Sequence, residues 1–159
     1  MAGVVEQYLQ RGSAILAALA ACFAAGGQPV HAQKTPSPPA YHTPKPGSPE
    51  RKAIMDALRV PVEKDVEMKV IFVVDKPEMY FRVVGDWAFV GAEFRHPDGS
   101  PMGTEYRAKH EMSSLRAEGL LHREHGRWIV VTHVTGPTDV EWQDWPKKYH
   151  APTNVIPKL

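Results

Sequence analysis

Beyond Cys22 the sequence contains no further cysteine. That absence excludes disulfides, thiolate metal sites and a cysteine nucleophile from any domain that follows it. Charge of one sign is also missing: 19 Lys and Arg face 18 Asp and Glu, a net +1. Such a balance gives no electrostatic drive toward nucleic acid, and no basic stripe supplies one locally. No apolar run reaches the roughly 20 residues of a bilayer-spanning helix. The H-E-x-x-H and H-x-x-E-H patterns, the G-x-S-x-G elbow and the glycine-rich phosphate loops are all absent, so no cofactor or metal is expected.

What is present begins with a leader-like segment. Arg11 precedes a 15-residue uncharged run from Ser13 to Gly27, followed by Pro29 and Val30-His31-Ala32. Small or branched residues at −3 and −1 fit signal peptidase, which predicts residues 1–32 as a signal peptide cut between Ala32 and Gln33. The rival reading is a lipobox at Leu19-Ala20-Ala21-Cys22, with acylated Cys22 tying the chain to a membrane. The two readings give a periplasmic or secreted protein and a membrane-anchored lipoprotein, respectively.

Residues 33–47 hold five prolines in fifteen positions, which forbids a helix and reads as an extended, solvated linker. A single domain is expected over 48–159. Ser48-Pro49-Glu50 is a helix start, and Ala53, Ile54, Ala57 and Leu58 follow at helical spacing until Pro61 ends the helix. Met68 to Val74 reads as a strand. Met79–Val84 and Trp87–Phe94 form a hairpin about Gly85-Asp86, and Gly119–Glu124 and Arg127–Val134 form a second about His125-Gly126. Residues 104–118 are read as a helix stopped by Gly119. Thr138 and Glu141 have capping-box spacing ahead of a short helix carrying Trp142, Trp145 and Tyr149. The fold class is therefore α+β: an N-terminal helix packed on a curved antiparallel sheet of at least four strands, with a short C-terminal helix.

Three pieces stand in order: Gly85-Asp86-Trp87-Ala88-Phe89-Val90, His125-Gly126-Arg127-Trp128, and Gly136-Pro137-Thr138-Asp139-Val140 with Trp142 and Trp145. Over residues 48–152 they resemble small secreted proteobacterial proteins without an assigned function. The hairpin grammar is also similar to the cone-shaped nuclear-transport-factor-two-like (SnoaL-like) superfamily, whose members include isomerases, dehydratases, binding modules and assembly domains. That second resemblance implies a pocket rather than an activity. Its enzymes hold Asp or His inside the cone, and no motif here matches theirs.

Individual residues yield few candidates. His122 and His133 are read on one sheet face but about 13 Å apart, too far for two ligands of one zinc. Asp86, His133 and Asp139 lie at a turn, near a strand end and at a helix start, where a cone would open. They are the candidates for acid–base catalysis, against ordinary turn and helix-dipole roles. Trp142, Trp145 and Tyr149 share a helical face, either docking the last helix or forming an exposed binding patch.

The first functional reading is an extracytoplasmic, non-enzymatic binding or accessory module. It would take a partner protein or a small apolar ligand in the sheet concavity or on an aromatic patch. The alternative is a small SnoaL-like acid–base enzyme, and homodimerisation through the sheet is a third reading. No nucleic acid is expected, and membrane association only through Cys22.

Overall fold

The computed structural model describes residues 39–158. The expected cleavage site at Ala32 and Gln33, the lipidation candidate Cys22 and the signal peptide as a whole lie outside them. Among the described residues, no helix is long and apolar enough to cross a membrane.

Helix α1 spans Pro49–Asp65 and starts as its sequence dictates. Ser48 is extended, and its hydroxyl accepts the Arg51 N–H at 3.2 Å, while proline takes the first position, where its missing donor costs nothing. Ile54, Leu58 and Val62 then form a fully buried stripe. Pro61 does not end the helix, contrary to expectation. A proline here removes one hydrogen bond and costs about 3 kcal/mol. Burial of Val62 and Val66 on the following turn offsets that cost.

Five antiparallel strands follow: β1 Ile71–Val73, β2 Tyr80–Val84, β3 Trp87–Arg95, β4 Arg116–Glu124 and β5 Arg127–Thr135. β1 and β2 lie end to end along one edge of β3. Val73 faces Glu93 and Tyr80 faces Gly91, so Val74 to Met79 bow out opposite Ala92. Across the other edge of β3 come β4 and then β5. Both hairpins form where the turn chemistry placed them. His125 and Gly126 have φ of 49° and 77°, as a two-residue hairpin turn between right-twisted strands requires.

Two elements differ from expectation. The strand read from Met68 is confined to Ile71–Val73, because Glu67 turns with φ 53° and the Val70 N–H goes to the Glu63 carboxylate at 3.2 Å. The helix read over 104–118 is only Thr104–Lys109, here α2, and none of its residues is buried. Glu111, with φ 52°, breaks it, and Arg116 to Gly119 join β4 against β3. Gly119 is thus a mid-strand residue beneath α1 rather than a helix stop. A Cβ there would overlap Leu58 Cδ1 and lie 3.3 Å from Cδ2.

A bulge in β5 decides which residues face which layer. Leu121 pairs with Val130 and Leu120 with Thr132, leaving Val131 unpaired. Trp128 and Val130 pack toward α1; past the bulge, His133 and Thr135 turn to that face and both bond Asp65. His133 is therefore on the face opposite His122, which stacks with Trp87 on the far side.

That far side is covered by the C-terminal segment: a 3-10 turn over Glu141–Asp144, helix α3 over Trp145–Tyr149, and a second 3-10 turn over Thr153–Val155. The capping box does not form. Val140 precedes the 3-10 turn without a side-chain cap, and Asp139 Oδ1 instead accepts the Val140 N–H at 2.7 Å.

In the second half of the proline-rich stretch Pro44 is buried, while residues 39–43 and 45–47 are exposed. His42 exchanges both backbone hydrogen bonds with Val83, at 2.9 and 2.8 Å, along the outer edge of β2. Continuing that register puts Pro44 opposite Phe81. Proline has no N–H to give, and the Thr43 hydroxyl supplies the donor to the Phe81 carbonyl at 2.9 Å. The Pro44 carbonyl is taken by Arg51, a buried cation that also holds Asp75 at 2.6 Å.

Candidate functional site

With α1 filling one sheet face, open surface near the core has to come from the other. There Trp142 is 1 % exposed and packs on Phe89 at 5.3 Å between ring centroids, with Trp145 edge-on to the same ring at 6.3 Å. Val84, Leu120, Ala151 and Val155 complete this second core. The rings of Trp142 and Trp145 thus point inward. Tyr149 sits at the margin, its hydroxyl held below the usual phenol range by hydrogen bonding with Thr132 and by Lys148.

The cover stops short of the β2–β3 and β4–β5 turns. At that end Trp87, His122 and Ile129 are direct cross-strand partners, one each from β3, β4 and β5, with Trp87 half-buried against the second core and His122 half-buried beside it. Strands sit about 4.8 Å apart, so the row spans about 10 Å. The Trp87 and His122 rings lie 4.5 Å apart at 45°, and Ile129 is 46 % exposed. Alternation along β3 and β4 sets this row on the same face as Phe89 and Leu120, two positions further along, which are fully buried under the cover.

At the other end of the same face lies a buried charge. Glu118, 1 % exposed, pairs with Arg116, while its second carboxylate oxygen has no hydrogen-bond partner. Burial pushes its carboxyl above the usual range, while the Arg116 guanidinium and the neighbouring Trp142 indole pull it back. Trp142 Nε1, beside this carboxylate, is likewise buried without a hydrogen-bond partner. Next to it, Glu93 binds Lys76 and Arg95. Burial raises the Glu93 carboxyl, but hydrogen bonds from the two cations outweigh it and hold the group low.

The three acid–base candidates are not brought together. Asp86 sits at the β2–β3 turn and bonds Arg123 Nε at 2.8 Å. His133 faces α1 and bonds Asp65 at 2.9 Å, while Asp139 is exposed and satisfies its own neighbour. Two of the surface hollows among the described residues bear on this. One, of about 320 Å³, runs along α1 beside Arg51, Met55 and Arg59; the other, of about 340 Å³, lies between Glu78, Glu93, Arg107 and Arg116. Neither is lined by Asp86, His133 or Asp139. Among the described residues, no group of three His, Cys, Asp or Glu side chains could hold a metal ion.

Sequence reasoning did not single out Glu118, although an acid inside Ala117-Glu118-Gly119-Leu120-Leu121 is a signal of a buried polar group. Nor did it bring Trp87 into a row with His122 and Ile129, which needs the register of β3 on β4. Comparison with protein-family models, curated proteins and solved structures finds no match in any of the three.

Proposed function

We propose that this chain is an extracytoplasmic binding or accessory module with no chemistry of its own, and that it seats a planar apolar group on the Trp87–His122–Ile129 row. The group belongs either to a small ligand or to a side chain of a partner protein. The leader-like segment, with its Ala32–Gln33 site and the Cys22 alternative, supports a location outside the cytoplasm, periplasmic or secreted. The observation that carries the binding reading is the break in cover: the C-terminal segment buries one part of the sheet face and leaves an aromatic row at its end. Trp87 and His122 are half-buried beside the exposed Ile129, and a partly exposed aromatic pair favours contact with a flat apolar partner. The acid–base reading rests on Asp86, His133 or Asp139 with a second titratable group in a deep pocket; Asp86 is tied to Arg123, Asp139 to its own neighbour's N–H, and the His133–Asp65 pair lines neither of the two hollows described above.

Titrating the protein with indole, followed in proton–nitrogen correlation spectra, tests the reading. Shifts should concentrate at the Trp87 indole N–H, His122 and Ile129, and disappear in Trp87→Ala. Saturable shifts centred elsewhere, or none at millimolar indole, would overturn it.

A further inference from the structure

At the end of the sheet away from Trp87, the charged side chains sort into pairs with two left over. Glu93 of β3 is held between Lys76 and Arg95, and Arg116 of β4 is taken by the buried Glu118. Glu93 and Arg116 are themselves cross-strand partners, at the opposite end of the β3–β4 ladder from Trp87 and His122. The hollow of about 340 Å³ lies against this pair. Two further charged residues line it: Glu78, from the bow between β1 and β2, and Arg107, from α2. Both are exposed, and among the described residues neither has an ion-pair partner. They are opposite in sign and do not close on one another, so the hollow presents an anion and a cation from separate elements.

The rest of the lining is mixed. Met79 and Leu115, both half-buried, give it apolar surface, and Ser113 and Ser114 bring hydroxyls. Ser114 Oγ is buried without a hydrogen-bond partner. Turned outward about one bond, it becomes a donor to whatever the hollow holds. The volume is at the small end of the roughly 300–1,000 Å³ range of ligand pockets.

We infer that this hollow binds a free α-amino acid with an apolar side chain, its carboxylate on Arg107, its ammonium on Glu78 and its side chain on Met79 and Leu115. A simple anion would gain Arg107 but meet Glu78, and a simple cation would meet the reverse. A zwitterion answers both. The guanidinium fork matches a carboxylate with two parallel hydrogen bonds, and an ammonium supplies only donors to an acceptor-only Glu. The Ser114 hydroxyl adds a second donor for the carboxylate. Neither Trp87 nor His122 lines this site, so it stands apart from the aromatic row. Both ionic contacts sit at the surface, where water screens them, and the dissociation constant is on the order of a millimolar.

L-Leucine titrated into the full chain, followed in proton–nitrogen correlation spectra, tests the site. Saturable shifts should centre on Met79, Arg107 and Ser113 to Arg116, with Trp87 and His122 unmoved. Glu78→Gln and Arg107→Gln should each weaken leucine binding by about fivefold or more. Both positions are exposed, and circular dichroism checks that the variants fold. N-acetyl-leucine lacks the ammonium and leucinamide lacks the carboxylate, so each should bind more weakly than leucine. Glu78→Gln should not weaken N-acetyl-leucine further, nor Arg107→Gln leucinamide. No saturation by about 20 mM leucine overturns the inference. So do shifts centred on the Trp87 row, equal binding of all three compounds, or binding indifferent to both substitutions.

Discussion

Replacing Gly119 by alanine sets two known effects against each other. In a strand interior, alanine is favoured over glycine by roughly 0.5–1 kcal/mol, because glycine loses more backbone freedom on folding. Against that, the new methyl would overlap Leu58 Cδ1 and approach Cδ2 to 3.3 Å and Cγ to 3.4 Å. Leu58 is fully buried in the stripe that fastens α1 to the sheet, so moving its isobutyl group aside disturbs close-packed neighbours. Overpacking of this kind costs about 1–3 kcal/mol. The clash wins, and Gly119→Ala should destabilise the domain by about 1–2 kcal/mol net. Urea denaturation is the assay, with the slope of the transition unchanged and the midpoint lowered. Leu58→Ala alone leaves a cavity and should cost about 2–5 kcal/mol. In the double variant the methyl added at Gly119 enters that cavity, so the combined cost should be clearly less than the sum of the two separate ones. Strict additivity, or a stabilising Gly119→Ala, would refute the close approach of α1 to β4.

Pro61→Ala restores a donor to the Ala57 carbonyl in mid-helix. After allowance for the looser unfolded chain, it should stabilise by about 1–2 kcal/mol in thermal or urea melts. For Glu118, the fold raises the carboxyl above its usual value, so the folded chain holds this proton more tightly than the unfolded one. Stability from this group is therefore greatest at low pH and falls as pH rises from the ordinary carboxylate range through the folded value, by at most about 1.4 kcal/mol per pH unit. Glu118→Gln should lack this fall, and denaturation of both proteins from about pH 4 to 8 checks it. Asp86→Asn breaks an exposed pair with Arg123 and should change stability by no more than about 0.5 kcal/mol. A loss of several kcal/mol would show that the turn depends on that pair.

Local grammar was legible where local forces decide. Ser48-Pro49-Glu50 starts α1 because cap, φ restriction and dipole all act within one turn. The two hairpins form about Gly85-Asp86 and His125-Gly126 because the turns need their particular backbone angles. The α+β class follows from these pieces. The sequence misleads where a distant layer outweighs a local rule. Pro61 is carried through by the burial of Val62 and Val66, and Arg116 to Gly119 are drawn from a weak helix into β4 by pairing with β3. The shared face of Trp142, Trp145 and Tyr149 could be read from spacing. Whether that face points inward depends on Phe89, on a strand far away in the chain. The unpaired Val131 reverses the sense of everything after it on β5, and no motif announces such a bulge.

The arm from Ala40 to Gly47 alters where this fold can be cut. A shortened chain beginning at Ser48, the first residue of the helix signal, would keep every regular element intact. It would also strip Arg51 of the Pro44 carbonyl, leaving a buried cation partly unserved, and bare the β2 rim to other chains. Sticky, poorly behaved material should result from that apparently tidy boundary, and the smallest well-behaved fragment should begin ahead of Tyr41 and retain Thr43.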